Sequence, residues 1–283
     1  TSDTLWTKTY GGEKGEMGNS VRQTSEGGFI VAGWTTSPAF AMPDLYLIKT
    51  DENGDTLWTK TYGGTNWEGG SSIQQTTDGG YIIAGNTSSF GAGGLDVYLM
   101  KTDANGDTLW TKTYGGDSLD MGNSIQQTTD GGYIITGSTR SFGAGLEDVY
   151  LIKTDSLGDT LWSKTYGGTG LEAGRSVQQT VDGGYIIGGL TSSSGAGGYD
   201  VYLIKTDEYG DTLWTKTYGW VLNDEGFSVL RTDGCYIVAG YTYTNSYECD
   251  VWLIKTDPLG ELIWQKTYGG AGFERGHSVQ ETF

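Results

Sequence analysis

The sequence predicts an all-β fold built from one antiparallel unit that is copied along the chain, and three observations lead to it. The motif at residues 55–64 recurs six times, with its tryptophans spaced 52, 52, 52, 52 and 50 residues apart. Asp-Gly and Asn-Gly turns separate short apolar runs, as in tight hairpins. The 283 residues include 49 Gly, 3 Pro and 13% aromatics, which favours short packed strands over disorder. The repeated tryptophans are Trp6, Trp58, Trp110, Trp162, Trp214 and Trp264.

Each copy is predicted to be a four-stranded meander. The turn at Asp78-Gly79 joins the first two strands, and the turn at Asn105-Gly106 joins the last two. Glycine at these places supplies the positive φ that tight turns need. A longer loop connects the second strand to the third. In the second copy, the strands are predicted at residues 72–76, 81–85, 96–101 and 108–114.

The faces of these strands indicate how the copies pack. The second and third strands are apolar on both faces, so they should be covered on two sides. The fourth strand alternates and places Trp58, Lys60 and Tyr62 on one face. Sheets that are sandwiched in this way between their neighbours are the blades of a β-propeller. A parallel β-helix explains the sequence less well, because its coils do not need two tight antiparallel hairpins per repeat.

The strand count predicts five complete blades of about 52 residues plus a partial sixth, within one array over residues 1–283. First and fourth strands each occur six times, whereas second and third strands occur five times. A six-position propeller with an incomplete closing blade would account for this count. A fragment of a longer array is the alternative. Because the first residues already belong to a repeat, we interpret the chain as a mature form or a fragment.

The formal charge of −18 argues against nucleic acid and anionic lipid surfaces as partners. No apolar run reaches the ~20 residues of a membrane span. Cys235 and Cys249 fall at opposite ends of the fifth blade, so no disulfide is expected between them. His277 is the only histidine, and no Cys/His spacing indicates zinc.

At this level of detail the repeat resembles a known family, the bacterial β-propeller repeats abbreviated SBBP. The resemblance covers essentially the whole chain and implies a secreted or surface-exposed bacterial propeller, usually without assigned chemistry. Similar arrays resemble parts of large exported proteins with C-terminal sorting domains. A weaker similarity links the Gly-Trp pattern to quinone-dependent dehydrogenase propellers. The resemblance lies in Asp96-Val97-Tyr98 with Lys101, Gly106 before Trp110, Tyr114-Gly115-Gly116, and Asp130-Gly131-Gly132-Tyr133 before Gly137-Ser138-Thr139.

Aromatic residues in the long loops are the candidate binding residues. Both long loops of a blade should leave the same face, and loops carry binding functions more often than strands. Aromatic planes can stack on sugars or anchor protein contacts. The set is uneven, because Phe90 is matched by Phe142 but the fourth blade has Ser194 at this place. The fifth repeat also departs from the pattern, with Trp220 in place of the second Gly and a shorter hairpin. The candidates are Trp67, Phe90, Phe142 and Trp220.

An acidic residue stands six positions after each repeat tyrosine, just before a first strand. One hypothesis is that these carboxylates bind Ca²⁺, which prefers oxygen ligands. The other, which we favour, is that each carboxylate accepts backbone N–H groups at the end of a loop. No compact calcium-loop spacing supports the first hypothesis, and calcium is the only candidate cofactor. The six acids are Glu16, Glu68, Asp120, Glu172, Asp224 and Glu274.

The sequence therefore predicts an extracellular or cell-surface scaffold that presents loops to proteins, glycans or sister molecules. No catalytic residue is predicted, because the Asp/Lys pairs recur in every blade whereas an active site is normally singular. On this ground we expect no enzyme. Two alternatives stay open: a propeller enzyme, either a quinone-type dehydrogenase or a glycan-cleaving enzyme, and a purely structural stalk or filament spacer.

Overall fold

The computed structural model describes residues 4, 6–36, 42–245 and 247–281. These residues form no helix, and their strands assemble into five antiparallel sheets of four consecutive strands each. The predicted fold class is confirmed: the chain has an all-β, β-propeller type of architecture with five complete four-stranded blades. We number the blades in chain order.

The strands of a blade follow one another in space as they do in sequence. The first strands are β1 (Glu16–Gln23), β5 (Glu68–Gln75), β9 (Asp120–Gln127), β13 (Glu172–Gln179) and β17 (Asp224–Arg231). The second strands are β2 (Phe29–Thr35), β6 (Tyr81–Thr87), β10 (Tyr133–Thr139), β14 (Tyr185–Thr191) and β18 (Tyr236–Asn245). The third strands are β3 (Asp44–Thr50), β7 (Asp96–Thr102), β11 (Asp148–Thr154), β15 (Asp200–Thr206) and β19 (Glu248–Thr256). The fourth strands are β4 (Thr56–Tyr62), β8 (Thr108–Tyr114), β12 (Thr160–Tyr166), β16 (Thr212–Tyr218) and β20 (Leu262–Tyr268).

The first strands are longer than predicted. The first strand of the second blade, β5, begins at Glu68 and not at residue 72. Consecutive glycines at 69 and 70 read as a loop, since glycine weakens a strand. In the fold these glycines pair with β6, and the two strands approach so closely that a Cβ on Gly85, in β6, would lie 1.9 Å from the carbonyl oxygen of Gly69. The pairing then shifts between Gly70 and Ser72, which is a β-bulge.

The backbone divides into two compact units, Thr1–Gln127 with Ser156–Asp159 and Thr128–Asp155 with Thr160–Phe283. In the first unit, every residue of β6 and β7 is buried, as the two-sided apolar pattern predicted. The same holds for β10, β11 and β14 in the second unit. The single array over residues 1–283 stays a prediction.

The repeated tryptophan packs on the turn glycine of the following blade. Gly106 has φ +80°, and a Cβ there would lie 2.9 Å from the Trp58 ring. The Tyr62 hydroxyl donates to the carbonyl of Gly106 at 2.5 Å, and Lys60 pairs with Asp107. In the second unit, Trp162, Lys164 and Tyr166 make the same contacts with Gly210 and Asp211.

Each end of the described chain makes the contacts of one blade strand. Near the N-terminus, Lys8 pairs with Asp55 at 2.7 Å, and the Tyr10 hydroxyl donates to the carbonyl of Gly54. These are the contacts of a fourth strand. Near the C-terminus, the Glu274 N–H donates to the carbonyl of Cys249 at 2.8 Å, as the N–H of Asp224 does to Tyr199. This is the contact of a first strand.

Candidate functional site

The six repeated acids cap the loops that precede the first strands. Glu68 accepts the Gly64 N–H at 2.7 Å through one oxygen and the Thr87 hydroxyl at 2.7 Å through the other. This is the role favoured from the sequence, since a carboxylate at a loop end satisfies free backbone donors. The equivalent bonds join Glu16 to Gly12, Asp120 to Gly116, Glu172 to Gly168, Asp224 to Trp220, and Glu274 to Gly270.

Five of these acids, all but Glu16, also lie against the aspartate near the start of the preceding third strand. A Cβ on Gly63 would be 2.0 Å from Asp44 Oδ1 and 2.7 Å from Glu68 Oε2, so only glycine fits between the carboxylates. Burial raises the pKa of Asp44, and the charge of Glu68 raises it further. The other pairs are Asp96 with Asp120, Asp148 with Glu172, Asp200 with Asp224, and Asp250 with Glu274.

The carboxylate pairs bear on the calcium hypothesis. Ca²⁺ takes about six to eight oxygen ligands. Over the ranges that the structure describes, no group of three or more His, Cys, Asp or Glu side chains is placed to hold a metal ion. In the pairs, one carboxylate already accepts loop N–H groups. Calcium binding by these acids therefore stays a prediction.

The predicted loop aromatics sit on buried aromatics of the third strands. Phe90 is 45% exposed and stacks on Tyr98 with ring centroids 6.0 Å apart. Phe142 is 46% exposed, and its centroid lies 5.7 Å from that of Tyr150. Trp67 is half-buried and lies over the backbone of Gly69. Phe90 and Phe142 thus present single rings to solvent.

In the fifth blade the exposed ring comes from a different loop. Strands β18 and β19 continue pairing to Asn245 and Glu248, so no long loop brings a phenylalanine over the third strand. Trp220, from the loop that enters the blade, takes this place and lies 4.9 Å from Trp252 between ring centroids. Trp220 is 46% exposed, whereas Trp252 is 2% exposed. The buried Nε1–H of Trp252 has no acceptor among the described residues.

A cavity of about 430 Å³ opens beside this tryptophan pair. Its lining is mostly apolar, with hydroxyl groups from threonine and tyrosine. Small-molecule sites have this composition, in which apolar and aromatic walls carry a few polar groups that orient the ligand. The lining residues are Trp220, Val221, Leu222, Thr242, Tyr243, Thr244 and Thr267. We call this cavity the Trp220 cleft.

A polar network lies on the face of the fifth blade opposite to Trp252, because Tyr241 pairs with Val251 whereas Trp252 pairs with Gly240. The ring centroid of Tyr241 is 5.5 Å from that of Tyr243. The Tyr241 hydroxyl donates to Glu225 at 2.6 Å. Burial raises the pKa of Tyr241, and the bond to Glu225 raises it further. The Arg275 guanidinium lies 4.5 Å over the Tyr241 ring, and His277 stacks on Phe227 at 4.6 Å.

The sequence predicted Trp220 as a binding residue but did not single out the residues of the polar network. Glu225, Phe227 and Tyr241 stand at positions where the other blades carry different residues, and that difference was the available signal. The two cysteines of the blade are both free thiols. Tyr236, next to Cys235, pairs with Thr256, whereas Cys249 pairs with Tyr243 at the other end of the strands.

No protein-family profile matches the chain. It is 23% identical over 256 residues to the regulatory protein FlaEY of Caulobacter vibrioides, which covers 81% of this chain and 26% of that protein. The chain thus spans about a quarter of the length of this relative.

Solved structures of similar fold include two carbohydrate-active enzymes. The β-1,2-mannobiose phosphorylase from Listeria innocua shares 11% identity at a TM-score of 0.45, over 82% of this chain and 88% of that one. An α-L-arabinofuranosidase from Clostridium thermocellum shares 11% identity at a TM-score of 0.43, over 89% and 94%. At such identities the likeness concerns the fold alone.

These likenesses correct one expectation. The sequence led us to expect no enzyme, but chains of similar fold include a phosphorylase and an arabinofuranosidase, so the fold does not exclude an enzyme and that expectation is corrected. Repetition of the Asp/Lys pairs was a poor ground for it, because the fifth blade departs from the repeat. The resemblance to SBBP repeats and the extracellular location stay predictions. The described residues contain no helix that is long and apolar enough to cross a membrane.

Proposed function

We propose that this propeller scaffold binds carbohydrate in the Trp220 cleft of its fifth blade, in the extracellular or cell-surface setting that the repeat resemblance implies. The observation that carries the proposal is the half-exposed Trp220 ring held on Trp252 at the wall of a cavity of about 430 Å³. A fixed aromatic plane beside hydroxyl groups suits a sugar, which has an apolar ring face and a polar rim.

The size of the Trp220 cleft limits the kind of partner that it fits. A small concave cleft favours a glycan over a protein partner, because stable protein interfaces bury about 800 Å² on each side. Phe90 and Phe142 each offer one ring, whereas the Trp220 cleft adds walls and hydroxyl groups.

The test compares the binding of a panel of oligosaccharides to three proteins by calorimetry. In Trp220→Gly, the residue becomes the glycine that the other repeats carry at this place, so the fold should be kept. Phe142→Ala removes an equally exposed ring from another blade and serves as the matched control. We expect the wild type and Phe142→Ala to bind alike and Trp220→Gly to lose at least tenfold in affinity, about 1.4 kcal/mol. Equal binding by all three would refute the proposal.

A glycan-cleaving activity is the second candidate. The observation that favours it is Glu225, a half-buried carboxylate that accepts the Tyr241 hydroxyl on the face of the blade opposite to Trp252. Glycoside hydrolysis commonly uses a pair of carboxyl groups, one of which serves as general acid. Release of reducing ends from a bound oligosaccharide, lost in Glu225→Gln while binding persists, would establish this activity. Binding without any release would leave the chain as a binding module.

A further inference from the structure

A second cavity, of about 470 Å³, lies between the hairpins of the fourth and fifth blades. Strand β17 separates it from the Trp220 cleft, because the strand begins at Asp224, which pairs with Thr242 of the cleft, and ends at Arg231 in the cavity. The hairpin that follows, residues 232–235, is one residue shorter than the equivalent hairpin at 180–184. We call this space the Arg231 cavity. Its lining includes Val181, Asp182, Arg231, Asp233, Tyr236 and Glu281.

At three junctions between blades, a glutamine at the end of a first strand accepts a backbone N–H from the hairpin of the preceding blade. The side-chain carbonyl oxygen of glutamine can do so because it is an acceptor. Each of these hairpin donors is therefore satisfied by the next blade. The bonds join the N–H of Ser25 to Gln75 at 2.8 Å, of Thr77 to Gln127 at 3.0 Å, and of Thr129 to Gln179 at 2.9 Å.

Arg231 stands in the place of these glutamines. Its backbone N–H donates to Gln178 Oε1 at 2.8 Å, just as the N–H of Gln127 donates to Gln74 Oε1 at 2.7 Å. The two side chains therefore leave the backbone at equivalent points. An arginine side chain carries five N–H donors and no acceptor, whereas glutamine has a carbonyl oxygen. The substitution thus removes the acceptor from this junction and adds a positive charge.

The hairpin donor at this junction is the backbone N–H of Val181, which corresponds to that of Thr129. Among the residues that the structure describes, none accepts it. The Arg231 cavity thus combines two kinds of donor, a guanidinium and a peptide N–H, where other junctions combine a donor with an acceptor. A carboxylate can accept from both, and arginine binds carboxylates through two parallel hydrogen bonds.

The cavity also holds negative charges. Burial raises the pKa of the Tyr236 hydroxyl and Asp182 raises it further, whereas Arg231 lowers it, so the charges of Asp182 and Arg231 both act at this hydroxyl. Asp182 is already held by a lysine of the third strand at 2.9 Å. Asp233 and Glu281 are exposed on the cavity wall. They would repel a simple anion and attract a ligand that carries a positive charge as well.

We propose that the Arg231 cavity binds a free α-amino acid in its zwitterionic form. Arg231 and the Val181 N–H bind the carboxylate, while Asp233 and Glu281 attract the ammonium group. Because a zwitterion has no net charge, the net charge of −18 does not repel it. The site lies at the other end of β17 from the proposed carbohydrate site and does not depend on it.

Calorimetry with leucine and phenylalanine tests the proposal. Each is compared with its methyl ester, which lacks the carboxylate charge, and with its N-acetyl derivative, which lacks the ammonium charge. We expect the wild type to bind the free amino acid at least about tenfold more tightly than either derivative, because hydrogen bonds to charged groups are lost. Arg231→Gln restores the glutamine of the other blades, which accepts the Val181 N–H. This variant should lose at least about tenfold in affinity for the free amino acid.

Arg22→Gln is the matched control. Arg22 is an exposed arginine of the first blade, and the next three blades carry glutamine at its place. This variant should bind like the wild type. Asp233→Asn should reduce the preference for the free amino acid over the N-acetyl derivative and keep the preference over the methyl ester.

Three outcomes would overturn the proposal. The first is that the wild type binds neither amino acid. The second is that Arg231→Gln binds them as tightly as the wild type does, since the guanidinium would then have no part in the site. The third is that the N-acetyl derivative binds as tightly as the free amino acid, which would show that a carboxylate alone is recognised and not a zwitterion.

Discussion

The packing of the repeated tryptophan on the next turn leads to a quantitative prediction for Trp162→Ala. The Trp162 ring is largely buried, lies 5.9 Å from Tyr185 between centroids, and covers Gly210. A side chain of this kind removes roughly 150 Å² from water, which at about 25 cal/mol per Å² corresponds to about 4 kcal/mol. The unfolded chain already buries part of this surface, which reduces the expected loss of unfolding free energy by about a quarter, to about 3 kcal/mol.

Thermal melting followed by circular dichroism measures the effect. A loss of about 3 kcal/mol should lower the melting temperature by about 6–12 °C for a cooperative unit of this size. Leu161→Ala is the matched control, because Leu161 precedes Trp162 in the same strand and is 58% exposed. It should change stability by less than about 0.5 kcal/mol. If the two variants melt at the same temperature, the tryptophan does not anchor the blades and the packing argument is wrong.

Two further predictions concern the carboxylates. Burial alone would raise the pKa of Asp78, but hydrogen bonds from Thr76 and Lys101 outweigh it and lower the pKa to about 2. The ionised carboxylate therefore stabilises the fold above about pH 4, the unfolded value, and this contribution is lost as the pH falls towards 2. Asp78→Asn should melt at a lower temperature than the wild type at pH 7 and at the same temperature at pH 2; a constant difference between the two would contradict this assignment. For calcium, we expect the same melting temperature in calcium chloride and in EDTA, since the repeated acids already accept loop N–H groups. A rise with calcium alone would show that the acids bind the ion.

The sequence predicted the blades well because turn chemistry and strand faces are local properties. Gly79 and Gly106 do have the positive φ expected of tight turns, at 82° and 80°. The start of β5 could not be predicted, because Gly69 and Gly70 weaken a strand by themselves and are held in one only by pairing with β6. The carboxylate pairs were missed for a similar reason, since Asp44 and Glu68 meet through tertiary packing across a glycine.

The candidate site was only partly predictable. Trp220 stood out because it replaces a glycine that the other repeats keep. Its partner Trp252 did not, since it replaces a tyrosine of similar character. The contacts among Glu225, Tyr241 and Arg275 depend on which residues of two strands and a following segment face one another. An alignment of the six copies against each other, position by position, would have shown these residues as departures.

The contact between a tryptophan and the turn glycine of the following blade has a consequence for how such a chain can lengthen. The hydrogen bond from Tyr62 to Gly106 spans 44 residues, and the ion pair from Lys60 to Asp107 spans 47. A window of one whole 52-residue period contains every position of the repeat once. Its duplication therefore copies one repeat tyrosine and one turn glycine, whichever residue the window starts from. Insertion or loss of whole periods would keep each repeat tryptophan next to a turn glycine of the following blade. A change of another length would shift the tryptophan away from that glycine.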